Sequence, residues 1–446
     1  MRKLIFYYGA IGALAMATSL RLSAQQSMAD DQVPATYTQN VKGHTLRSDS
    51  AAGGGVIGRR ANGSVLGVDS LPNWSSYFYL PGLVDDGGSG FPQWTWQYTM
   101  VGRSPFSGAD HGDGDNHEGG ATTTIAAPIV PVNIVLLDTN GSVRIIGGKP
   151  AIMDATQYVN PVLKSPVFDR AVFDSSDGPT QYADGVQRAE FFRAADPDWH
   201  TMLQPATKTA RTMTLRRGTY RFAANPDGTC CAYVLVNINV FTSQLFPASE
   251  GDPSTVIGVS QKAGDIRTTD LSTFLFPNTF LYFPDSAGNP ADCCVLGFHS
   301  YDVEPGSAAN GWREKRYVMN YSSWISPGLF NTFTDVTALS HEISEAFNDP
   351  FVNNATPIWL SPNGLCQANL EDGDVIEGLP NALYPMTLNG FTYHPQNVAL
   401  LQWFAAVTPS NAIHRAYSYP DTTVLTSASV PMTPGCKGPA NVPGGK

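Results

Sequence analysis

Basic charge is scarce in this chain of 446 residues: 27 Lys and Arg stand against 38 Asp and Glu, a net charge of −11. No basic stripe offsets the imbalance, so nucleic acid is not an expected partner. None of the six cysteines forms a Cys-x-x-Cys pair, which argues against a thiolate zinc site. A Gly-x-Ser-x-Gly elbow and a phosphate-binding glycine loop are both missing, which leaves serine-hydrolase and nucleotide chemistry unsupported. Long apolar runs are equally rare. The one run covers Leu4–Leu20, and nothing comparable follows it. No membrane span is therefore expected in the mature chain.

That single run has the layout of a cleavable secretory signal over residues 1–24. Arg2 and Lys3 precede it, and Leu22-Ser23-Ala24 offers a small-residue cleavage site before Gln25. An uncleaved anchor is the competing reading. It is weakened by Thr18, Ser19 and several Gly and Ala, and by a length at the short end for a span. The expected location is secreted, periplasmic or on the cell surface. In such compartments six cysteines favour disulfides. They fall as Cys230-Cys231, Cys293-Cys294, Cys366 and Cys436. The simplest pairing joins the two doublets to each other and Cys366 to Cys436.

Apolar residues make up 42% of the chain and aromatics 11%, enough for a substantial core, while 42 Gly and 33 Pro point to long loops rather than a helical bundle. Residues 25–75 show no lasting hydrophobic period, and a flexible mature N-terminus is assigned to 25–95. A β-rich first half of the core is expected over 96–250 and a metal-site half over 251–410, the two forming one continuous domain, with a tail at 411–446. Ile129–Leu137 reads as a buried strand, Asp138-Thr139-Asn140-Gly141 as a turn and Val143–Ile146 as the returning strand of a hairpin. Tyr182–Phe192 has a helical pattern with Val186, Ala189 and Phe192 on one side. Further strands are expected at Tyr233–Val240, Phe280–Phe283, Val295–His299 and Tyr317–Tyr321. A helix is expected over Val336–Asn348, with Asp335 as its N-cap and Pro350 just past its end.

The sharpest signal lies in that helix: Ser340-His341-Glu342-Ile343-Ser344-Glu345-Ala346-Phe347-Asn348-Asp349-Pro350. Residues four apart share a helix face, so His341, Glu345 and Asp349 align, with Glu342 about a quarter turn away. Val336, Leu339, Ile343 and Phe347 occupy the opposite side. One side can meet a core while the other offers an imidazole and carboxylates to a cleft. This is the geometry of the His-Glu-x-x-His zinc motif with a carboxylate as second ligand. Glu342, beside the first ligand, is placed as general base toward the water on the metal. With eight His and nine Glu in the chain, the pattern arises by chance on the order of three times in a thousand such sequences.

Acidic residues cluster around it. Glu342, Glu345, Glu371 and Glu377 account for four of the nine Glu. The turn Asn369-Leu370-Glu371-Asp372-Gly373-Asp374 follows the helix at the separation expected of a further metal ligand. Glu371 is the first choice and Asp374 the second. Asp349, just before a proline, fits a helix-end or turn role better than a ligand role. On a helix's polar face His and Glu are more often solvated or capping than ligating, and the convergence of these residues is what favours the metal.

Ser-His-Glu-x-x-Glu-Ala, the following Asp-Pro and the Glu-x-Gly-Asp turn resemble a group of exported microbial proteins. That group is distantly similar to the plant phosphate-induced, exordium-like proteins, and its motif resembles the helix of zincin metallopeptidases. The likeness extends over Thr99–Gly102, Thr180–Phe191, Gly297–Ser300 and Gly390–Gln396. It implies an α+β, zincin-like mixed sheet with long Gly/Pro-rich loops, in which an edge strand at Tyr317–Tyr321 flanks the motif helix. Glu345 departs from the usual second histidine, which moves the site toward harder ions than zinc.

His299 and His394 are the remaining ligand candidates, each able to coordinate metal or to donate to a tetrahedral intermediate. A hydrogen-bonded structural role is the commoner fate of such a histidine. Tyr393 is an oxyanion-donor candidate on the same logic. The loop His111–Glu118 alternates Asp and Gly like the start of a calcium loop, but it lacks the closing bidentate Glu and reads as a solvated acidic loop.

Two functions follow. The first is an exported zinc-dependent hydrolase, favoured as a metallopeptidase acting on peptides or proteins. Its metal would be held by His341, Glu345 and Glu371 or Asp374, with Glu342 as catalytic base. The second is a non-catalytic cell-surface or polysaccharide-associated protein that keeps a structural metal. Glu342 in the base position favours the hydrolase, because a structural clip has no need of it.

Overall fold

The computed structural model describes residues 67–81, 93–106, 122–224, 231–330 and 332–430. The signal segment 1–24, the His111–Glu118 loop and Cys436 lie outside these residues. The fold is mixed α/β, with a central, largely parallel sheet and few helices.

Thr122–Leu137 is the spine of that sheet. Exposed and buried residues alternate at its start, and the stretch from Ala127 to Val132 is buried throughout, as the β-branched run predicts for a strand covered on both faces. It pairs in parallel with His200–Thr207, Arg211–Arg216 and Leu271–Pro277. Leu271–Pro277 pairs in parallel with Glu314–Trp324, and the last strand, Gly297–Glu304, runs antiparallel to Glu314–Trp324. Gly297–Glu304 is therefore the edge beside the motif helix. Tyr317–Tyr321, expected at that edge, lies one strand further in, because Gly297–Glu304 pairs along its outer side, but its strand does pack against the motif helix as expected.

Strand periodicity divides the core. Ile129, Leu275 and Val318 face one side, with Leu339, Ile343 and Phe347 of the motif helix. Val130, Phe274 and Met319 face the other, with Phe241 and Tyr321. A smaller sheet follows the order Tyr220–Ala224, Ala232–Asn237, Thr279–Pro284, Pro290–Val295.

The motif helix spans Thr337–Asn348. Ala, Leu and Glu support its interior. Asp349 leaves helical geometry at φ −146°, as a residue before proline is disposed to do. Asp335 does not cap it. Its carboxylate takes the N–H of Val336 at 2.7 Å and that of His394 at 2.8 Å, and it lies 2.7 Å from the His394 ring. Asp349 holds the loop after the helix, accepting from the N–H groups of Asn353 at 2.8 Å and Asn354 at 3.0 Å.

Several local expectations are corrected. The turn at Asp138–Gly141 forms, but Val143 makes one bridge and the strand returning to the spine is Ile152–Met153, after a small Ile145–Ile146/Lys149–Pro150 ribbon. Tyr233–Val240 splits at Asn237, whose side chain caps a helix over Ile238–Leu245 at the Asn239 N–H. This is the local bond that lets Asn end a strand and start a helix. The Tyr182 helix ends at Glu190, which leaves Phe192 at 43% exposure.

The doublet pairing is also corrected: Cys293 and Cys294 are paired with each other. The Thr279–Pro284 strand lies between Ala232–Asn237, which follows Cys231, and Pro290–Val295, which holds Cys293 and Cys294. Two spacings of ~4.8 Å exceed the ~7 Å limit between bridged Cα atoms. No helix among the described residues is long and apolar enough to cross a membrane.

Candidate metal centre

Three segments meet at the polar face of the motif helix. The helix supplies His341, Glu342 and Glu345. The edge strand supplies His299, which lies opposite Asn320 in the register. The loop after the Ala355–Leu360/Cys366–Asn369 ribbon supplies Glu371, Asp372 and Asp374. Ser344 and Asn348 pin that loop to the helix by donating to Asp372 at 2.7 and 2.8 Å.

His341 Nε2 lies 3.0 Å from Glu345 Oε1 and 3.5 Å from Asp374 Oδ1. His299 Nδ1 lies 3.3 Å from Glu345 Oε2 and 3.6 Å from Glu342 Oε2, and its Nε2 lies 4.0 Å from Glu371. Two groups of possible ligands result, His341–Glu345–Asp374 and His299–Glu345–Glu371, each with its donor atoms within 4.8 Å of one another. His341, Glu345 and both alternatives for the further ligand, Glu371 and Asp374, have donor atoms in these groups. His299 joins them, and Glu371 stands with His299 rather than with His341.

The rings are oriented from behind. Gln396 donates through Nε2 to the Gly373 carbonyl at 2.7 Å, so its Oε1, 3.2 Å from His341 Nδ1, must accept. The Nδ1 proton is thereby fixed and Nε2 faces the carboxylates. His299 Nε2 sits 3.2 Å from the Asp349 carbonyl, which can only accept, and this directs Nδ1 into the cluster. A hydrogen bond from the far ring nitrogen to an acceptor is the usual support of a metal-binding histidine.

Two glycines allow the packing. A Cβ on Gly373 would come within 2.7 Å of the His341 ring, and one on Gly297 within 2.7 Å of Glu342 Cγ.

The face is not an open cleft. His341 is 5% exposed, Glu342 3% and Glu345 0%, because the Glu371–Glu377 loop lies over it. A cavity of about 10 Å³ remains beside Glu342, lined by Gly297, Thr337, His341, Glu377 and Gln396. Its size is on the order of one water.

Burial pushes Glu342 up to about 7, against the opposing pull of His341. Burial, reinforced by Glu345, raises Asp372 to about 8 and Glu371 well above the carboxylate range. At Glu345 burial is outweighed by His341 and His299, which hold it well below that range. Burial would depress both histidines, yet the carboxylates keep them well above the ordinary imidazole value. Positive charge is thus drawn to this spot. A divalent ion would displace the ring protons in doing the same work. Glu371, fully buried, has no hydrogen-bond partner on either carboxylate oxygen, and neither Glu342 Oε2 nor His299 Nδ1 has one. Buried polar atoms of this kind are costly unless something binds them. These residues fit a metal ion.

No family model, curated protein or solved structure matches this chain.

His394 and Tyr393 lie outside it. His394 is held by Asp335, and the Tyr393 hydroxyl donates to the Pro161 carbonyl at 2.8 Å. Gln396, Gly297 and Gly373 fall in the segments that carry the family likeness, but no spacing along the chain links them to His341 or Glu342.

Proposed function

We propose that this chain is an exported zinc-dependent hydrolase, with peptides or proteins as its substrate class. The observation that carries the reading is the place of Glu342. It belongs to neither ligand group, it lines the cavity beside His341, and one of its oxygens has no hydrogen-bond partner. A site that only holds a metal has no use for such a carboxylate.

His341, Glu345 and Asp374 would hold the ion. Zinc bound there would supply Lewis acidity, polarising a carbonyl and making water easier to deprotonate. Glu342 takes a proton from a water in the cavity as that water attacks the carbonyl carbon. It then returns the proton to the leaving amine, so the base ends each cycle ionised. Gln396 keeps the His341 ring in place throughout. The zincin likeness is supported by the motif helix packing on an antiparallel edge strand, and the export assignment by the signal-like residues 1–24. Replacing imidazole by Glu345 leaves room for a harder ion in place of zinc.

The test is Glu342→Gln, assayed for peptide hydrolysis and metal content together. Metal content should stay at the wild-type level while hydrolysis falls ~10²–10⁴-fold. Full activity in that variant ends the mechanism.

A second reading is favoured by one observation: every ligand is buried and the cavity is the size of a single water. A non-catalytic cell-surface or polysaccharide-associated protein with a structural metal would have such a closed site. Under that reading Glu345→Gln would cost stability, Glu342→Gln would cost little, and neither form would hydrolyse peptides.

A further inference from the structure

A single ion at His341, Glu345 and Asp374 leaves half of the centre unexplained. His299 and Glu371 are fully buried on the other side of Glu345, and neither the His299 Nδ1 atom nor the two Glu371 oxygens has a hydrogen-bond partner. The Asp349 carbonyl turns the His299 ring so that Nδ1 faces Glu345. Gln396 turns His341 toward the same residue from the opposite side. Glu345 meets the two rings with different oxygens, Oε1 at 3.0 Å from His341 and Oε2 at 3.3 Å from His299. It alone belongs to both ligand groups.

One ion at His341, Glu345 and Asp374 touches neither His299 nor Glu371, and the two Glu371 oxygens would stay buried without a partner, which is costly for a carboxyl group in an interior.

We propose that the centre holds two divalent cations, one at His341–Glu345–Asp374 and one at His299–Glu345–Glu371, bridged by the two oxygens of Glu345. Each cation has one imidazole and two carboxylates, a donor set that suits Zn²⁺ or the harder Mn²⁺. The proposal rests on the metal centre described above, and it is independent of whether that centre hydrolyses anything.

The experiment is metal stoichiometry. The purified chain is stripped with chelator, dialysed against Zn²⁺ or Mn²⁺, and analysed for bound metal. Two equivalents per chain are expected. His341→Ala and Glu371→Gln should each retain one, and Glu345→Gln should retain none. Mn²⁺-loaded wild type should show the electron paramagnetic resonance spectrum of a spin-coupled pair, a readout that needs no variant to fold. One equivalent in the wild type, or two without spin coupling, overturns the bridged pair. With one equivalent, the Glu342→Gln experiment can still succeed, so the hydrolase reading outlives this proposal. No bound metal removes both.

Discussion

His341 sits in a slot with a backbone wall on one side and an amide on the other. Gly373 meets the face of its ring, and Gln396 holds its Nδ1. A methyl group on Gly373 has no room at 2.7 Å and must move the ring or the loop. Gly373→Ala should therefore weaken metal binding ~10–100-fold, the range seen when support behind a metal-binding histidine is lost. Gly297→Ala makes an instructive contrast, because its added Cβ would press on Glu342 and on no proposed ligand. Metal content should stay at the wild-type level in that variant while hydrolysis drops on the order of 10²-fold, as for a displaced catalytic group. Equilibrium dialysis and peptide hydrolysis on the two variants separate these effects, and equal losses of metal in both would refute the distinction. At this scale the sequence was readable wherever spacing along one helix decides. His341 and Glu345 converge because residues four apart stack. His299 was a candidate beside His394, and nothing along the chain separated the two, because His299 reaches the cluster only through strand pairing.

The motif helix is fixed at its C-terminal end by a side chain from the next loop. Asn354 accepts from the Thr99 N–H at 2.8 Å, donates to the Thr99 carbonyl at 2.7 Å, and also donates to the carbonyl of Asn348, the last helical residue. One amide thus joins the Asn73–Pro81/Gln93–Val101 ribbon to the helix that carries His341 and Glu345. Asn354→Ala would leave a buried N–H and carbonyl of Thr99 without that partner, at a cost of ~1–3 kcal/mol or more. Urea unfolding should show a lower midpoint with an unchanged m-value, and a midpoint equal to wild type would show that the ribbon and helix are not joined in this way. The helix itself, the spine strand and the Phe280 and Tyr317 strands were legible in the sequence, since each keeps one hydrophobic period along its length. The split at Asn237 and the return to the spine through Ile152–Met153 were not. There, one capping bond and one two-residue pairing outweigh the local β pattern.

At the scale of the whole molecule, six Glu are buried among the described residues. Glu190 is buried beyond the metal centre, accepts from the Leu401 N–H at 2.9 Å and has its second oxygen unpaired. Burial, helped by the charge of Asp372, raises its pKa well above the ordinary value. The folded chain therefore keeps a proton that the unfolded chain releases above about pH 4.5. By linkage, stability is greatest below that pH and declines as pH rises toward the folded-state value, at up to ~1.4 kcal/mol per pH unit for this one group. Glu190→Gln carries the neutral form at every pH. Its stability, relative to wild type, should rise between pH 5 and pH 8 in denaturant titrations. A constant difference across that range would mean Glu190 is not protonated in the fold.

The sequence by itself determined the motif helix, the shared face of His341 and Glu345, the place of Glu342 beside them and the acidic turn that carries Glu371 and Asp374. Those features follow from periodicity and short separations, which a linear chain records directly. Only the tertiary structure decided that Gly297–Glu304 forms the edge, that His299 enters the cluster, that Glu371 and Asp374 divide between two ligand groups, and that the face is roofed over. Each of these depends on which distant segments come to lie side by side. Such choices are set by the joint burial of many apolar side chains, and no single stretch of residues encodes them.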